Sequence, residues 1–354
     1  MSRFLSAKYA TLTPYVPGEQ PRDMKYVKLN TNESPFPPSP RVIAAVEREA
    51  NRLNLYSDPE CTELKIAAAK LYGVEPKNVL PVNGSDEILY FAFLAFGDKA
   101  HPFAFADISY GFYPVYAQFC AVPSRQIPLT AEYEIDYRDY LGIAEHVLIA
   151  NPNAPTGTCL PLWQIEEIVK RNPDRVVIID EAYIDFGGES CVPLIEKYDN
   201  LLVIQTFSKS RSLAGARLGF GIGCEALMRD LNTVKYSINP YNVNRMTQAA
   251  GVAAVEDDSY YREMAQTIMT VRAETTEQLK SLGFTVLPST ANFVFAKSGN
   301  VSGETLYQEL KARGVLVRHF TKERIKDFCR ITIGTREQMQ VLIKNIQAIL
   351  TEKG

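Results

Sequence analysis

Three short segments carry the groups most able to do chemistry, and each follows an apolar run that reads as a strand. After His146–Ala150 comes Asn151-Pro152-Asn153-Ala154-Pro155-Thr156-Gly157. After Arg175–Ile179 comes Asp180-Glu181-Ala182-Tyr183, and after Leu201–Gln205 comes Thr206-Phe207-Ser208-Lys209-Ser210. A lysine among small residues can form a Schiff base with a carbonyl. A carboxylate facing a pyridine nitrogen keeps it protonated and makes the ring an electron sink. A phenol and an amide can hydrogen-bond a ring hydroxyl. Ser208, Ser210 and Arg217 are close enough in sequence to hold a phosphate, the guanidinium in bidentate fashion. The turn Gly84-Ser85-Asp86-Glu87, opening a helix, adds backbone N–H groups for the same anion. Together these are the requirements of pyridoxal 5′-phosphate.

Taken singly, each feature has a plainer reading. Asp180 could cap an element, Lys209 could be a solvated lysine, and Asn-Pro and Pro-Thr-Gly are common turn chemistry. Gly219-x-Gly221-x-Gly223 is one residue short of a dinucleotide-binding loop, so it reads as close packing in a strand. The order of the segments and their shared place at strand ends carry the cofactor reading.

The elements that must position these groups follow from patterning. From Val79 to Phe220, short runs apolar on both faces alternate with helical stretches such as Pro161–Arg171, and a further strand is read at Leu218–Ile222. That pattern predicts an α/β fold with a mostly parallel central sheet and helices on both faces. Ligands in such sheets collect at the carboxyl ends of the strands. Before this lies a proline-rich extended arm, with Pro14, Pro17, Pro21, Pro35, Pro37 and Pro38. Helices are predicted from Ser39-Pro40, with Ser39 as the cap, and from after Pro59 to near Gly73. A long polar helix spans about 258–283. Short strands at Phe293–Ala296, Val315–Val317 and Ile331–Ile333, with helices at Gly303–Arg313 and Thr335–Leu350, read as a smaller α+β domain. The expected division is an arm at 1–38, a large cofactor-binding domain at 39–258 and a small domain at 259–354.

Composition narrows the function classes. The 354 residues hold 38 Lys and Arg against 41 Asp and Glu, so the net charge of −3 is no footprint for nucleic acid. Apolar runs such as Phe91–Phe96 are far below the ~20 residues that span a bilayer, and the N-terminus lacks the apolar stretch of a secretory signal. Three widely separated His and six scattered Cys exclude a dedicated metal site or a His-based triad and read as reduced thiols in a cytoplasmic protein.

The segments Asn-Pro-Asn-x-Pro-Thr-Gly, Asp-Glu-Ala-Tyr and Ser-Lys-Ser-x-x-Leu-Ala-Gly-x-Arg-x-Gly resemble the signature of fold-type I aminotransferases, with the pyridoxal-phosphate transferase fold. Within these the chain is most similar to the histidinol-phosphate aminotransferases. The closer likeness rests on Leu12-Thr13-Pro14-Tyr15, Leu29-Asn30-Thr31-Asn32-Glu33-Ser34-Pro35, Pro240-Tyr241-Asn242-Val243-Asn244 and Cys329-Arg330-Ile331-Thr332-Ile333-Gly334-Thr335-Arg336.

The resemblance implies that Lys209 forms the cofactor linkage and shuttles a proton. It implies that Asp180 pairs with the pyridine nitrogen, Tyr183 bonds the ring hydroxyl and Tyr110 stacks on the ring. Gly84, Ser85, Asp86, Ser208 and Arg217 hold the phosphate. Tyr56 reaches the cofactor of a second subunit, which implies a homodimer. One departure stands out: relatives have Asn directly before Pro-Thr-Gly, where this chain has Ala154, and Asn153 is the nearest replacement.

The substrates implied are small molecules: L-histidinol phosphate with 2-oxoglutarate, and imidazole-acetol phosphate with L-glutamate. Arg318–Arg330 holds five Lys and Arg against two acids, a local basic stretch able to receive a phosphate and a carboxylate. By resemblance, Arg330 takes the carboxylate, Tyr15, Asn32, Asn292 and Arg318 surround the phosphorylated substrate, and Asn244 lies near its imidazole. An aromatic aminotransferase and a phospho-amino-acid decarboxylase are the alternatives of the same fold.

Overall fold

Strands whose side chains are apolar on both faces must be covered twice, and the sequence supplies helices for both sides. In the computed structural model, which describes residues 2–353, seven strands form one sheet. Their order is Val79–Val82, Gly219–Gly223, Leu201–Thr206, Val177–Asp180, His146–Ala150, Phe103–Ala106, Ser124–Ile127. Gly219–Gly223 runs antiparallel to both neighbours, and every other pairing is parallel. Alternation sends Val147, Ile149, Val177, Ile179, Leu201 and Val203 into one core, and Leu148, Ile178, Leu202 and Ile204 into another. Each such side chain taken from water stabilises the sheet by about 2 kcal/mol.

The expected elements are present with small shifts at their ends. Asp180 is the last residue of its strand, paired in register with Ala150 and Ile204, rather than the first residue after it. The antiparallel strand is Gly219–Gly223 rather than Leu218–Ile222. Its glycines are close-packing residues: a Cβ on Gly219 would lie 2.6 Å from the Ser85 nitrogen, and one on Gly221 3.0 Å from the Ile88 side chain. The helix Ser85–Phe96 can therefore set its first turn directly against the sheet. Ser39 precedes the helix Pro40–Ala50 with proline at its start, but its hydroxyl makes no capping bond. The Ser39 N–H instead donates to the Tyr261 hydroxyl at 3.1 Å.

A four-stranded antiparallel sheet, Arg318–His319, Phe328–Thr332, Phe293–Ser298 and Phe284–Val286, follows the helix Asp258–Ser281. The helices Gly303–Ala312 and Arg336–Lys353 pack Leu306, Leu310, Leu342, Ile346 and Ile349 against it. After a 3-10 turn at Ala7–Tyr9 the arm has no regular element up to Val27–Lys28, which pairs in parallel with Val315–Leu316. Near its start it bonds Gln118 of the helix Phe112–Cys120 through the Thr13 N–H and the Thr11 carbonyl. Farther on, Glu19 accepts from the Tyr307 hydroxyl and pairs with Lys311. The arm thus spans the two sheets. The expected outer limits, Met1 and Gly354, lie outside the described residues. Among the described residues no helix is long and apolar enough to cross a membrane, and no cluster of His, Cys, Asp or Glu could hold a metal ion.

Candidate active site

Asp180, Lys209 and Tyr183 come together around a cavity of about 280 Å³ at the carboxyl ends of the parallel strands. Ser85, Asp86, Tyr110, Ala154, Ser208 and Arg217 also line it. The parallel sheet dictates this convergence, because consecutive strands end at one level.

Asp180 is buried at 4% exposure. It accepts from the Tyr113 hydroxyl at 2.9 Å and from the Ala182 N–H at 3.2 Å. Burial pushes its carboxyl up to about 6, and those two bonds only partly oppose the shift. Tyr113 was not foreseen from the sequence. It stands three residues beyond Tyr110 on the same short segment, and burial beside Asp180 keeps its phenol protonated. Glu181 points elsewhere: it accepts from Ser190, from the Cys191 N–H and from Gln205, at 2.6, 2.7 and 2.6 Å. It braces the loop behind the strand end.

Lys209 Nζ donates to the Thr31 carbonyl at 3.2 Å and stands 5.8 Å from the centre of the Tyr183 ring. The Tyr183 hydroxyl accepts from Asn32 Nδ2 at 3.0 Å. At the other end, Arg217 pairs with Asp86 at 3.2 Å and donates to the Ser208 hydroxyl at 3.4 Å. Asp86 also accepts from the Tyr110 hydroxyl at 2.8 Å. Gly84 has φ +78 and its missing side chain leaves room for Arg217. Ser85 and Asp86 begin a 12-residue helix whose first N–H groups have no side-chain cap, which makes them anion donors. The cavity therefore offers a buried carboxylate at one end, an arginine with a helix N-terminus at the other, and an amine and a phenol between. That donor set fits pyridoxal phosphate: a protonated ring nitrogen answers Asp180, and the phosphate answers Arg217 and the helix start.

A second cavity of about 440 Å³ shares Tyr110 and Ala154 with the first and is lined by Tyr15, Arg318, Phe320, Lys322 and Arg330. Arg330 Nη2 donates to the Asn30 carbonyl at 3.0 Å, while its Nε is buried without a partner. Burial holds this guanidinium below its usual range, so an incoming carboxylate would satisfy both its charge and its free N–H. Arg318 donates to the Val16 and Pro17 carbonyls, both at 3.1 Å, and so fixes the arm over this cavity. Burial raises the Tyr15 phenol against the pull of Arg330 and Arg318.

Gly84 and Asn32 line neither cavity but touch Arg217 and Tyr183, which do, and four more expected residues stand away from the cavities of this chain. Asn153 is fully buried: its oxygen accepts from Ser109 and its nitrogen donates to the Ile108 carbonyl and to Thr156. Its amide is spent within the loop, and Ala154 faces the cavity instead. Asn292 lies beneath Asn32, donating to its carbonyl at 3.0 Å. Asn244 caps the helix Arg245–Glu256 through the Thr247 N–H. Tyr56 is 80% exposed and stacks on Tyr241, with centroids 4.6 Å apart.

Sheet order and donor set define the aminotransferase fold of type I. The chain matches the family model "Aminotransferase class I and II" over residues 24–346, and it belongs to that family. More particularly, it is 50% identical over 350 residues to histidinol-phosphate aminotransferase 1 of Bradyrhizobium diazoefficiens, covering 99% of this chain and 100% of that protein. It is 47% identical over 352 residues to the histidinol-phosphate aminotransferase of Brachyspira hyodysenteriae, covering 99% of both. The crystal structure of histidinol-phosphate aminotransferase from Sinorhizobium meliloti, in complex with pyridoxal 5′-phosphate, shares the fold with a TM-score of 0.88 at 23% identity over the whole of both chains.

Proposed function

We propose that this chain is a transaminase that interconverts L-histidinol phosphate and 2-oxoglutarate with imidazole-acetol phosphate and L-glutamate, as a step in L-histidine synthesis, using pyridoxal 5′-phosphate. The observation that carries this reading is the convergence of Lys209, Asp180 and Tyr183 on one cavity that opens to a second, arginine-lined one. The bound cofactor supplies an aldehyde that condenses with amines and a protonated ring that withdraws electrons from the substrate carbon.

The chain's own groups do the rest. Lys209 Nζ holds the aldehyde and then carries the proton at the substrate α-carbon. Asp180, kept from water, holds the proton on the ring nitrogen. Tyr183 gives its hydroxyl proton to the ring oxygen, and Tyr110 forms a wall of the ring site. Ser208, Arg217 and the N–H groups of Ser85 and Asp86 fix the phosphate. Arg330 takes the carboxylate of glutamate, and Arg318 with Tyr15 takes the phosphate of the other substrate. One cavity so receives two anionic substrates in turn.

In this reading the chain divides into the arm 1–38, which packs on the small part and on a partner subunit, the cofactor-binding part 39–258 and the small part 259–354. Exposed Tyr56 serves the cofactor of a second copy in a homodimer. The reaction is placed in the cytoplasm, where the free thiols stay reduced. A panel of amino donors with the purified holoenzyme tests the substrate. Spectral conversion of the cofactor by histidinol phosphate, and not by phosphothreonine or phenylalanine, is expected. Equal conversion by phenylalanine, or release of CO₂ from a phospho-amino acid, contradicts it.

A further inference from the structure

We infer that Asn32 is a positioning residue for the cofactor's ring oxygen: its amide fixes the direction in which Tyr183 gives its single hydroxyl proton. This rests on the cofactor reading above and deepens it.

A phenol has one proton to give. The Tyr183 oxygen already accepts from Asn32 Nδ2 at 3.0 Å, so its own proton is left for an acceptor within the cavity that Tyr183 lines. The amide is tied on its other side, where the Thr332 hydroxyl accepts the Asn32 backbone N–H at 2.9 Å and spends its one proton on Asn32 Oδ1 at 3.0 Å. That leaves Nδ2, and not Oδ1, facing Tyr183. All three residues are buried, at 1%, 3% and 9% exposure for Asn32, Thr332 and Tyr183. The relay therefore runs in low dielectric, where an unpaired or reversed bond is costly. Asn32 sits at φ +56, a left-handed position that asparagine tolerates, and Asn292 holds its carbonyl.

The relay has unusual weight in this chain. Ala154 puts a methyl group where an amide was expected, and the Asn153 amide is spent in its loop. Among the described residues that line the first cavity there is no Asn or Gln. Hydrogen bonding at the ring oxygen thus runs through one phenol, and the arm and the strand Phe328–Thr332 set its direction. The same strand carries Arg330, so the group that receives the substrate carboxylate and the group that orients the ring donor share one element.

The test is the pH titration of the bound cofactor's absorbance in the holoenzyme, for Asn32→Gly and Asn32→Asp, each alone and combined with Tyr183→Phe. Glycine and aspartate both tolerate φ +56, so the backbone is kept. A donor to the ring oxygen lowers the basicity of the adjoining linkage, so its loss raises the midpoint. Aspartate would accept the phenol proton and turn it from the ring. Asn32→Asp is expected to raise the midpoint by about half a pH unit or more, close to Tyr183→Phe, with Asn32→Gly between it and the native enzyme. In the Tyr183→Phe background neither change should move it further. A midpoint unchanged in Asn32→Asp, or a shift that persists at full size without the Tyr183 hydroxyl, overturns the inference. If the native protein binds no cofactor with a titrating absorbance, the cofactor reading itself fails instead.

Discussion

Asp180 is an ionisable group almost wholly buried, and its hydrogen-bond partners in the chain, Tyr113 and the Ala182 N–H, are neutral. Its carboxyl rises from the ordinary 3.8 to about 6. Without the cofactor, the folded chain keeps this proton between pH ~4 and ~6 while the unfolded chain has lost it, so stability falls as pH rises through that window. Above it the full cost stands, on the order of 3 kcal/mol. The cofactor-free Asp180→Asn variant is therefore expected to melt with the native chain at pH 4 and a few degrees above it at pH 8. With cofactor present the order at pH 8 should reverse, because the native carboxylate then has a cation. Thermal melts at the two pH values, with and without pyridoxal phosphate, check this. A variant that melts lower than native at pH 8 in the cofactor-free state would refute it. At this scale much was legible: Lys209, Asp180 and Tyr183 announce themselves by residue type and place. Tyr113 did not, because its role depends on a turn that brings it under Asp180. Asn153, one residue from the expected amide, has its side chain bonded within the loop while Ala154 lines the cavity.

The Arg217 end of the cavity, the proposed place of the phosphate, depends on how closely one helix approaches one strand. Gly219 lets the Ser85 nitrogen lie where a Cβ would stand, while the Gly221 gap is filled by the movable Ile88 side chain. Gly219→Ala must push the helix start away from the phosphate locus. It is expected to weaken cofactor binding by ~10-fold or more and to destabilise the chain by about 2 kcal/mol. Gly221→Ala should cost about half as much stability and leave cofactor affinity within ~2-fold, since Ile88 can shift. Cofactor titration and thermal melts separate the two, and equal losses of affinity would contradict this account. The strands and crossovers were readable because apolar runs with both faces buried have few alternatives. Their ends were less so: Asp180 reads as a loop residue by polarity, yet the ladder continues through it to Ile204. Ser39 has the residue type of a cap, but its side chain is drawn into the interior, where its oxygen has no protein partner.

For the whole molecule, the arm ties the small sheet to the large one. Arg318 grips the arm carbonyls, Val27–Lys28 joins Val315–Leu316, and Gln118 anchors the arm's start. The exposed Tyr56–Tyr241 pair lies outside this chain's cavities and fits a contribution to a second copy. If so, two inactive variants should rescue each other. Mixing Tyr56→Ala with Lys209→Ala after dissociation should restore about a quarter of the sites to native composition, since half the dimers are mixed and each holds one intact site. Turnover that stays at the level of the unmixed variants would show that Tyr56 acts within its own subunit. The expectation of a cross-subunit role rests on resemblance alone, because nothing in one chain's periodicity marks a residue that works on another.

Lys209, which lines one cavity with Asp180, carries the proton at the substrate carbon in this account, and the most direct measurement is single-turnover transamination by the Lys209→Ala holoenzyme with histidinol phosphate. Retained cofactor binding through Arg217 and Asp180, with turnover reduced by ~10³-fold or more, is the result this account predicts. Turnover within ~10-fold of the native enzyme would contradict it.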